Sequence, residues 1–302
     1  MVNEEHKDRV FKFIFGNPEK KEWTLSLYNA VNGSSYTNPD DIQFNTIEDA
    51  VYLGMKNDVS FIIIDDMNLW EHQSTFNPNM PMRFFIYAAK LYEKYIAGSD
   101  YYQYSSVLQK APRPKCICFY NGTASQPERK ILRLSEAFGG EGDIEVVVTM
   151  LNINYGKNKA LMEACKPLNE YSWLVDAIRK YQKELGNIEF AVDRAISEMP
   201  EDFLIKRFLL LNKAEVKGMF LTEYDQNKVL EQERRDSIKY GIAKGLERGM
   251  KQGMKQGVEQ ANERVAVQML KDNYPLSAIT KISQLSEEAI QSIARTLGLA
   301  VM

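Results

Sequence analysis

The stretch Asp58–Gln73, DVSFIIIDDMNLWEHQ, constrains the fold more than any other part of the chain. Its run Val59–Ile64 is dominated by Val, Ile and Phe, residues that suit a pleated, half-buried surface. Two adjacent aspartates follow, then a second short run that carries Glu71 and Gln73. This pattern predicts a β-hairpin with Asp65–Asp66 as a two-residue turn. Ile64 then pairs with Met67, Asp58 lies opposite Gln73, and Glu71 stands on the diagonal. Directly opposed residues share a face, and so do residues two apart on one strand. Asp58, Glu71 and Gln73 are therefore expected to project from one face of a sheet. A four-residue loop keeps that arrangement, whereas an odd loop breaks it unless a bulge corrects it.

Two carboxylates this close on one face suit a hard divalent cation. Mg²⁺ prefers a couple of carboxylates and several waters over a closed protein cage. Such an ion activates water and stabilises charge in phosphodiester cleavage. The plainer reading makes Asp58 the residue that opens a strand and Glu71 a solvated edge residue, which is what most Asp/Glu pairs in strands are.

With 302 residues the chain has room for one large domain or two smaller ones. The net charge of −3 gives no global attraction to nucleic acid, so DNA affinity has to come from a local basic patch or a bound metal. No run approaches the ~20 apolar residues of a membrane span. The N-terminal residues MVNEEHKDRV contain no apolar signal core. The three cysteines, Cys116, Cys118 and Cys165, suit a reducing compartment, and a cytoplasmic protein without a membrane segment is expected. Cys116 and Cys118 flank Ile117 and share a face of a strand. With only His6 and His72 available, buried thiols are expected there, not a structural zinc site.

Along the chain, Val10, Phe11, Ile14 and Phe15 recur at helical spacing within residues 4–15, and Gly16-Asn17-Pro18 ends that helix. A second helix is expected from about Glu19 to Val31, with Trp23, Leu25, Leu27, Tyr28 and Val31 as core residues. Residues 42–53 suggest a first strand or hairpin. After Asn77-Pro78-Asn79 a helix is expected from about Met80 to Ala97, with Phe84, Phe85, Tyr87, Ala88, Leu91, Tyr92 and Tyr95 on its apolar and aromatic face. Arg83 and Lys90 on that helix either reach toward a phosphate backbone or are solvated charges. Strands are expected at 115–120 and 143–153. The order α-α-β-β-β-α-β-α-β points to a layered α/β domain, a mixed sheet flanked by helices. Helices then follow at Leu168–Leu185, Ile188–Met199 and Phe203–Leu211, punctuated by Pro167 and Pro200.

From about Gln226 the character shifts. Gly241, Gly245, Gly249, Gly253 and Gly257 recur at a spacing of four within a charged helical pattern. An interior glycine costs about 1 kcal/mol against alanine, so a close backbone approach by another helix is one way to offset it. From Lys228 to Arg264 nine Lys/Arg stand against six Asp/Glu, a local balance of +3. The segment is read either as a self-association or DNA-tracking helix or as a partly helical linker. Near the end, two short amphipathic helices meet at Gln284-Leu285, with Ser286 as N-cap and Glu287 and Glu288 in the first turn. They have the shape of a helix-turn-helix, but the second carries only Arg295 as a base, which is poor for phosphate contact.

Several stretches recur together in one order: DRVFKFIFG (8–16), NDVSFIIID followed by LWEHQSTFNPNMPMRFFIY (57–87), CFYNG (118–122), the acidic Glu223 and Asp225, and the glycine-spaced tail. Taken together this set resembles the recombination-promoting nuclease family, transposase-like members of the PD-(D/E)XK nuclease superfamily. The resemblance implies a restriction-endonuclease-like core, Mg²⁺ or Mn²⁺ as cofactor, DNA as substrate, and a bacterial cytoplasmic setting. It matches Asp58 to the first acidic position and Glu71 to the second, which makes both metal ligands and catalytic. Gln73 stands where the superfamily has its lysine, and the backbone carbonyl of His72, not its ring, would face the metal. Asp8 is a possible auxiliary acid. A neutral glutamine only hydrogen-bonds and positions, so the metal would supply most of the charge stabilisation.

The expectation is thus a nuclease-like core over 1–157, a helical extension over 158–225, and a glycine-striped helix with a C-terminal helical hairpin over 226–302. Its function would be metal-dependent DNA cleavage linked to recombination or mobile elements, with homo-oligomers formed through the C-terminal helices. The alternative is a catalytically inactive nuclease fold that binds DNA or protein.

Overall fold

The computed structural model describes residues 9–45 and 58–299, with the side chains of 223–234 left aside. Most of the expected strand region at 42–53, together with Asp8 and the side chains of Glu223 and Asp225, lies outside the described residues. The chain divides into two units, residues 1–227 and 228–302.

The first unit is α/β. Helices α1 (Arg9–Phe15) and α2 (Lys21–Asn32) precede strands β1 (Gln43–Phe44), β2 (Val59–Ile63) and β3 (Asp66–Gln73). Helix α3 (Met80–Ala97) crosses to β4 (Arg113–Tyr120). Strand β5 (Arg129–Arg133), the short α4 (Ser135–Phe138) and β6 (Val147–Asn152) complete the sheet. Helices α5 (Lys159–Ala164), α6 (Lys166–Leu185), α7 (Ile188–Ser197) and α8 (Lys206–Leu211) follow. The six strands form one open mixed sheet in the order β1-β2-β3-β4-β6-β5. β1, β2 and β3 are antiparallel neighbours, β4 runs parallel to both β3 and β6, and β5 returns antiparallel to β6. A parallel neighbour demands a crossover, and α3 provides it between β3 and β4.

Each face of the sheet closes its own core. Phe61 and Trp70, with Ile117 and Phe119, meet α1, α2 and the later helices α6 and α7 on one side. Met67 and Leu69, with Cys118, Tyr120, Val148 and Met150, meet α3 on the other. The helical residues expected at the start, Val10, Phe11, Ile14 and Phe15, are all buried. Because strand side chains alternate, a strand covered on both faces buries every residue, and all 8 residues of β3 are buried. Pro114 is tolerated in β4 because pairing with β6 begins only at Ile117, which leaves that side of the strand without a ladder.

The hairpin register differs from the expected one. Ile63 pairs with Asp66 and Ile62 with Met67, so the turn is Ile64–Asp65. Asp66 is drawn into the strand by its partners. Its carboxylate accepts from the Tyr28 hydroxyl at 3.0 Å and pairs with Arg113 at 2.9 Å. Ile64 consequently has a φ of 53° and is 58% exposed. A β-branched residue in the left-handed region is strained. The strand expected at 143–153 spans Val147–Asn152, and β5, whose sequence RKILR is mostly charged, was not expected.

Helix α9 runs from Lys213 to Lys271, and the boundary between the two units falls within it. In the second unit, α10 (Leu276–Ser283) and α11 (Glu287–Leu297) close a small core of Ala266, Met269, Leu270, Ile279, Ile290 and Ala294. Gln284 ends α10 in the left-handed conformation, and the Ser286 hydroxyl accepts from the Ala289 amide to start α11. All five stripe glycines are exposed, and among the described residues a Cβ at any of them would meet nothing within 4 Å beyond the helix's own backbone. Among the described residues no helix is long and apolar enough to cross a membrane.

Two stability measurements follow from these contacts. Ile64→Asn relieves the left-handed strain and should stabilise the fold by about 1 kcal/mol, read as a higher urea midpoint. Glu170 is buried, accepts from the Ile205 amide at 3.0 Å, and is held above the usual carboxylate range, chiefly by desolvation. A raised folded-state pKa favours the fold below the unfolded value of ~4.3, and that contribution is lost as the pH rises through the folded value. Glu170→Gln keeps the acceptor and removes the charge. It should raise Tm at pH 8 and show little difference at pH 4; a gain of equal size at both would refute the burial argument.

Candidate active site at the carboxyl end of β3

The polar residues of β3 mark the site, because a strand buried on both faces ordinarily carries apolar side chains. Asn68, Glu71, His72 and Gln73 are each at most 8% exposed. Met67, Leu69, Glu71 and Gln73 alternate onto the α3 side. Trp70 and His72 alternate onto the opposite one.

The corrected register changes the level of Asp58 but not the face. Val59 pairs with Trp70, so the next residue back, Asp58, stands level with Glu71 and not with Gln73 as expected. A slip of two residues preserves side-chain parity. Asp58 Oδ2 accepts the backbone N–H of His72 at 2.7 Å. That contact continues the hairpin past the end of β2, with a side chain standing in for a ladder hydrogen bond.

Glu71 is 3% exposed, and its Oε2 lies 3.1 Å from Arg83 Nη2. Arg83 Nε and Nη2 also donate to the Tyr87 hydroxyl, at 3.2 and 2.8 Å. The Gln73 amide, oriented by its partners, accepts from Arg83 Nη1 at 3.2 Å and donates to the Thr75 carbonyl at 3.2 Å. One guanidinium thus holds Glu71, Gln73 and Tyr87 together. Burial lowers the Arg83 pKa, but the charge of Glu71, with the Tyr87 hydrogen bond and the charge of Asp58, outweighs it, so the net shift is upward. Desolvation, followed by the charge of Glu71, holds the Tyr87 phenol well above its ordinary range, so it stays protonated. Arg83, with a third of its side chain exposed, is therefore not a free helix charge; it is paired to the strand through Glu71. Sequence reading treated Tyr87 as core alone. The available signal was Arg83 and Tyr87 one helical turn apart on a helix whose positions 80, 84, 87 and 91 are buried.

The His72 ring lies on the other side of the sheet. It stacks on Phe11 at 5.0 Å between ring centroids, and its Nε2 is 3.1 Å from the Tyr171 hydroxyl. Where β3 ends, the Gln73 carbonyl accepts from the Asn121 backbone N–H at 2.8 Å. Gly122 is required here, since a Cβ would come within 2.4 Å of the Ser74 carbonyl oxygen. Cys118, fully buried, stands level with Glu71 on the neighbouring strand β4. Burial pushes the Cys116 thiol up to about 12 and is the main cause that brings Cys165 to about 11, so both are protonated near neutrality.

Asp58 and Glu71 match the donor set of a water-rich Mg²⁺ site in number and chemistry, two carboxylates with the remaining positions left to water. Among the described residues no group of three or more His, Cys, Asp or Glu is assembled that would form a protein cage. Arg83 competes for the same Glu71 carboxylate. Removing it should leave a buried carboxylate without its main cation. Arg83→Met is expected to cost about 2–3 kcal/mol, at or below the ~3 kcal/mol lower limit for a broken buried pair because Arg83 is partly exposed. Urea denaturation at pH 8 checks this.

No family model matches the chain, and no curated protein or solved structure matches it either.

Proposed function

We propose that the chain is a metal-dependent DNA endonuclease with a restriction-endonuclease-like core, related to the recombination-promoting nucleases of the PD-(D/E)XK superfamily. The observation that carries this reading is Asp58, one residue before the β2–β3 ladder and bonded to the His72 amide next to Glu71, together with Gln73 and Arg83 at the carboxyl end of β3. The motif order supports it, as does the succession of an antiparallel β1-β2-β3 meander, the α3 crossover and a parallel β4.

In this reading Asp58 and Glu71 hold Mg²⁺ or Mn²⁺. The bound ion supplies an activated water and stabilises charge on the phosphate. The His72 amide fixes the Asp58 carboxylate. Gln73 orients the attacking water through its amide, as a neutral group can. Arg83 carries the positive charge that Gln73 lacks and is held against it by Tyr87. Developing negative charge on a phosphate would then meet a guanidinium drawn from the helix, where the superfamily uses a lysine of the strand. The protein would act in the cytoplasm, as a homo-oligomer through its C-terminal helices, in recombination or on mobile elements.

A second reading is favoured by one contact. The Arg83–Glu71 pair satisfies Glu71 with a cation of the protein's own, as in a nuclease fold that has become a DNA-binding or protein-interaction module. Incubation of supercoiled plasmid with the protein in Mg²⁺ or EDTA separates the two. Asp58→Asn keeps an oxygen for the His72 amide and removes the charge. Wild type should nick or linearise plasmid only with Mg²⁺, and Asp58→Asn should lose at least 100-fold in rate with an unchanged melting curve. Equal cleavage by the variant rules out the site assignment, while DNA binding without metal-dependent cleavage favours the module.

A further inference from the structure

Beyond the carboxyl ends of β4 and β6, on the same edge of the sheet as Gln73, lies a cleft of about 650 Å³. Loop residues Thr123 and Ser125 line one side and α6 the other. At its wall Arg179 Nη1 donates to Asn121 Oδ1 at 2.9 Å and Asn154 Oδ1 at 3.1 Å, and Nη2 donates to the Asn121 carbonyl. All three acceptors are neutral. Among the described residues no carboxylate forms an ion pair with Arg179. Lys157, Lys180 and Lys183 line the same cleft, against Asp176 and Glu184. The charge of Glu184 is already met by Arg194 at 3.3 Å.

A guanidinium held only by amide oxygens is fixed in direction and keeps its full charge. Its role in tying the two strand-end loops to α6 accounts for the hydrogen bonds. It does not account for three lysines lining the same open cleft of a chain whose net charge is −3. Concentrated positive charge in a cleft with low-dielectric walls focuses attraction for anions. Arg presents a planar fork suited to phosphate, and hydroxyls such as those of Thr123 and Ser125 contribute to backbone contacts in nucleic-acid complexes.

We propose that this cleft is a phosphate subsite for the DNA backbone, anchored by Arg179, with Lys157, Lys180 and Lys183 as its outer cations. The proposal rests on the nuclease reading for the identity of its polyanion. The cleft lies at the same end of the sheet as Gln73, with its α6 wall on the opposite face, so a backbone would reach it by passing over the strand ends. Gln73 pairs across to Tyr120 and on to Asn152, two strand spacings or about 10 Å away, which is the rise of roughly three nucleotides. The chain Gln73–Asn121–Arg179 links the two places through direct hydrogen bonds.

The test is fluorescence-polarisation binding of a labelled 20-base-pair duplex to the full chain in EDTA over a series of KCl concentrations. The variant is Lys157→Gln/Lys180→Gln/Lys183→Gln, whose positions are exposed, so its melting curve should match wild type. Each lost phosphate contact lowers the salt slope by about 0.9, so the slope should fall by about 2–3 and affinity near 0.1 M salt by at least tenfold. Unchanged affinity and slope overturn the subsite, as does a wild type that does not bind the duplex. Wild type that binds through the cleft yet fails to cleave with Mg²⁺ overturns the nuclease reading and leaves the subsite standing. Wild type that cleaves, with the triple variant binding equally well, does the reverse.

Discussion

Glu71 stands in the middle of a sheet, on a strand with every residue buried, and its carboxylate meets Arg83 at 3.1 Å. An ionised carboxylate in such a place costs several kcal/mol unless a cation and further hydrogen bonds compensate it. This requirement reaches well beyond one pair. It fixes the rotation of α3 about its axis, because Arg83 has to face the strand. That rotation puts Met80, Phe84, Tyr87 and Leu91 against Met67, Leu69 and Cys118. It also makes Gln73 and Tyr87 partners of one guanidinium. Polar specificity and apolar packing on this face are therefore one arrangement.

The two faces of the sheet divide the labour. The side covered by α1, α2 and α6 is almost wholly apolar and aromatic, with Phe11 packed against Phe15, Phe119 and the His72 ring. His72 shows how closely the functions adjoin. Its ring belongs to that core, while its backbone amide holds Asp58 at the rim of the candidate site. Chemistry then gathers at the carboxyl ends of the parallel strands. There the strand ladders run out, and the loops carrying Asn121 and Asn154 bring polar groups together, the usual location of ligand sites in open α/β sheets.

Much of this was legible in the sequence. The periodicity of Val10, Phe11, Ile14 and Phe15 and the punctuation around Met80–Ala97 yield α1 and α3, and the Ser286 cap yields the start of α11. Asp58, Glu71 and Gln73 stand out because polar residues interrupt an apolar strand pattern. Three features were not legible. The turn is at Ile64–Asp65 because Tyr28 and Arg113, distant in the chain, hold Asp66 in the strand, and local turn preference yields to those tertiary partners. Strand β5 is an edge strand with charged residues at Arg129, Lys130 and Arg133, so its alternation is masked. Arg83 carries no local sign that its charge points inward. Only the position of Glu71 across the α3–β3 interface gives it that role.

The glycine stripe of α9 has a geometric consequence. Each stripe glycine is followed by an exposed apolar residue: Ile242, Leu246, Met250, Met254 and Val258. A step of four residues advances about 40° beyond a full turn of a 3.6-residue helix, so from Gly241 to Gly257 the ridge rotates by about 160°. It does not run along one side of the helix as a heptad seam does. It is an inclined i±4 row, and two such rows interlock only when their helices cross at about −50°. A repeat of four therefore encodes an oblique crossing, with contact confined to the few turns around one point.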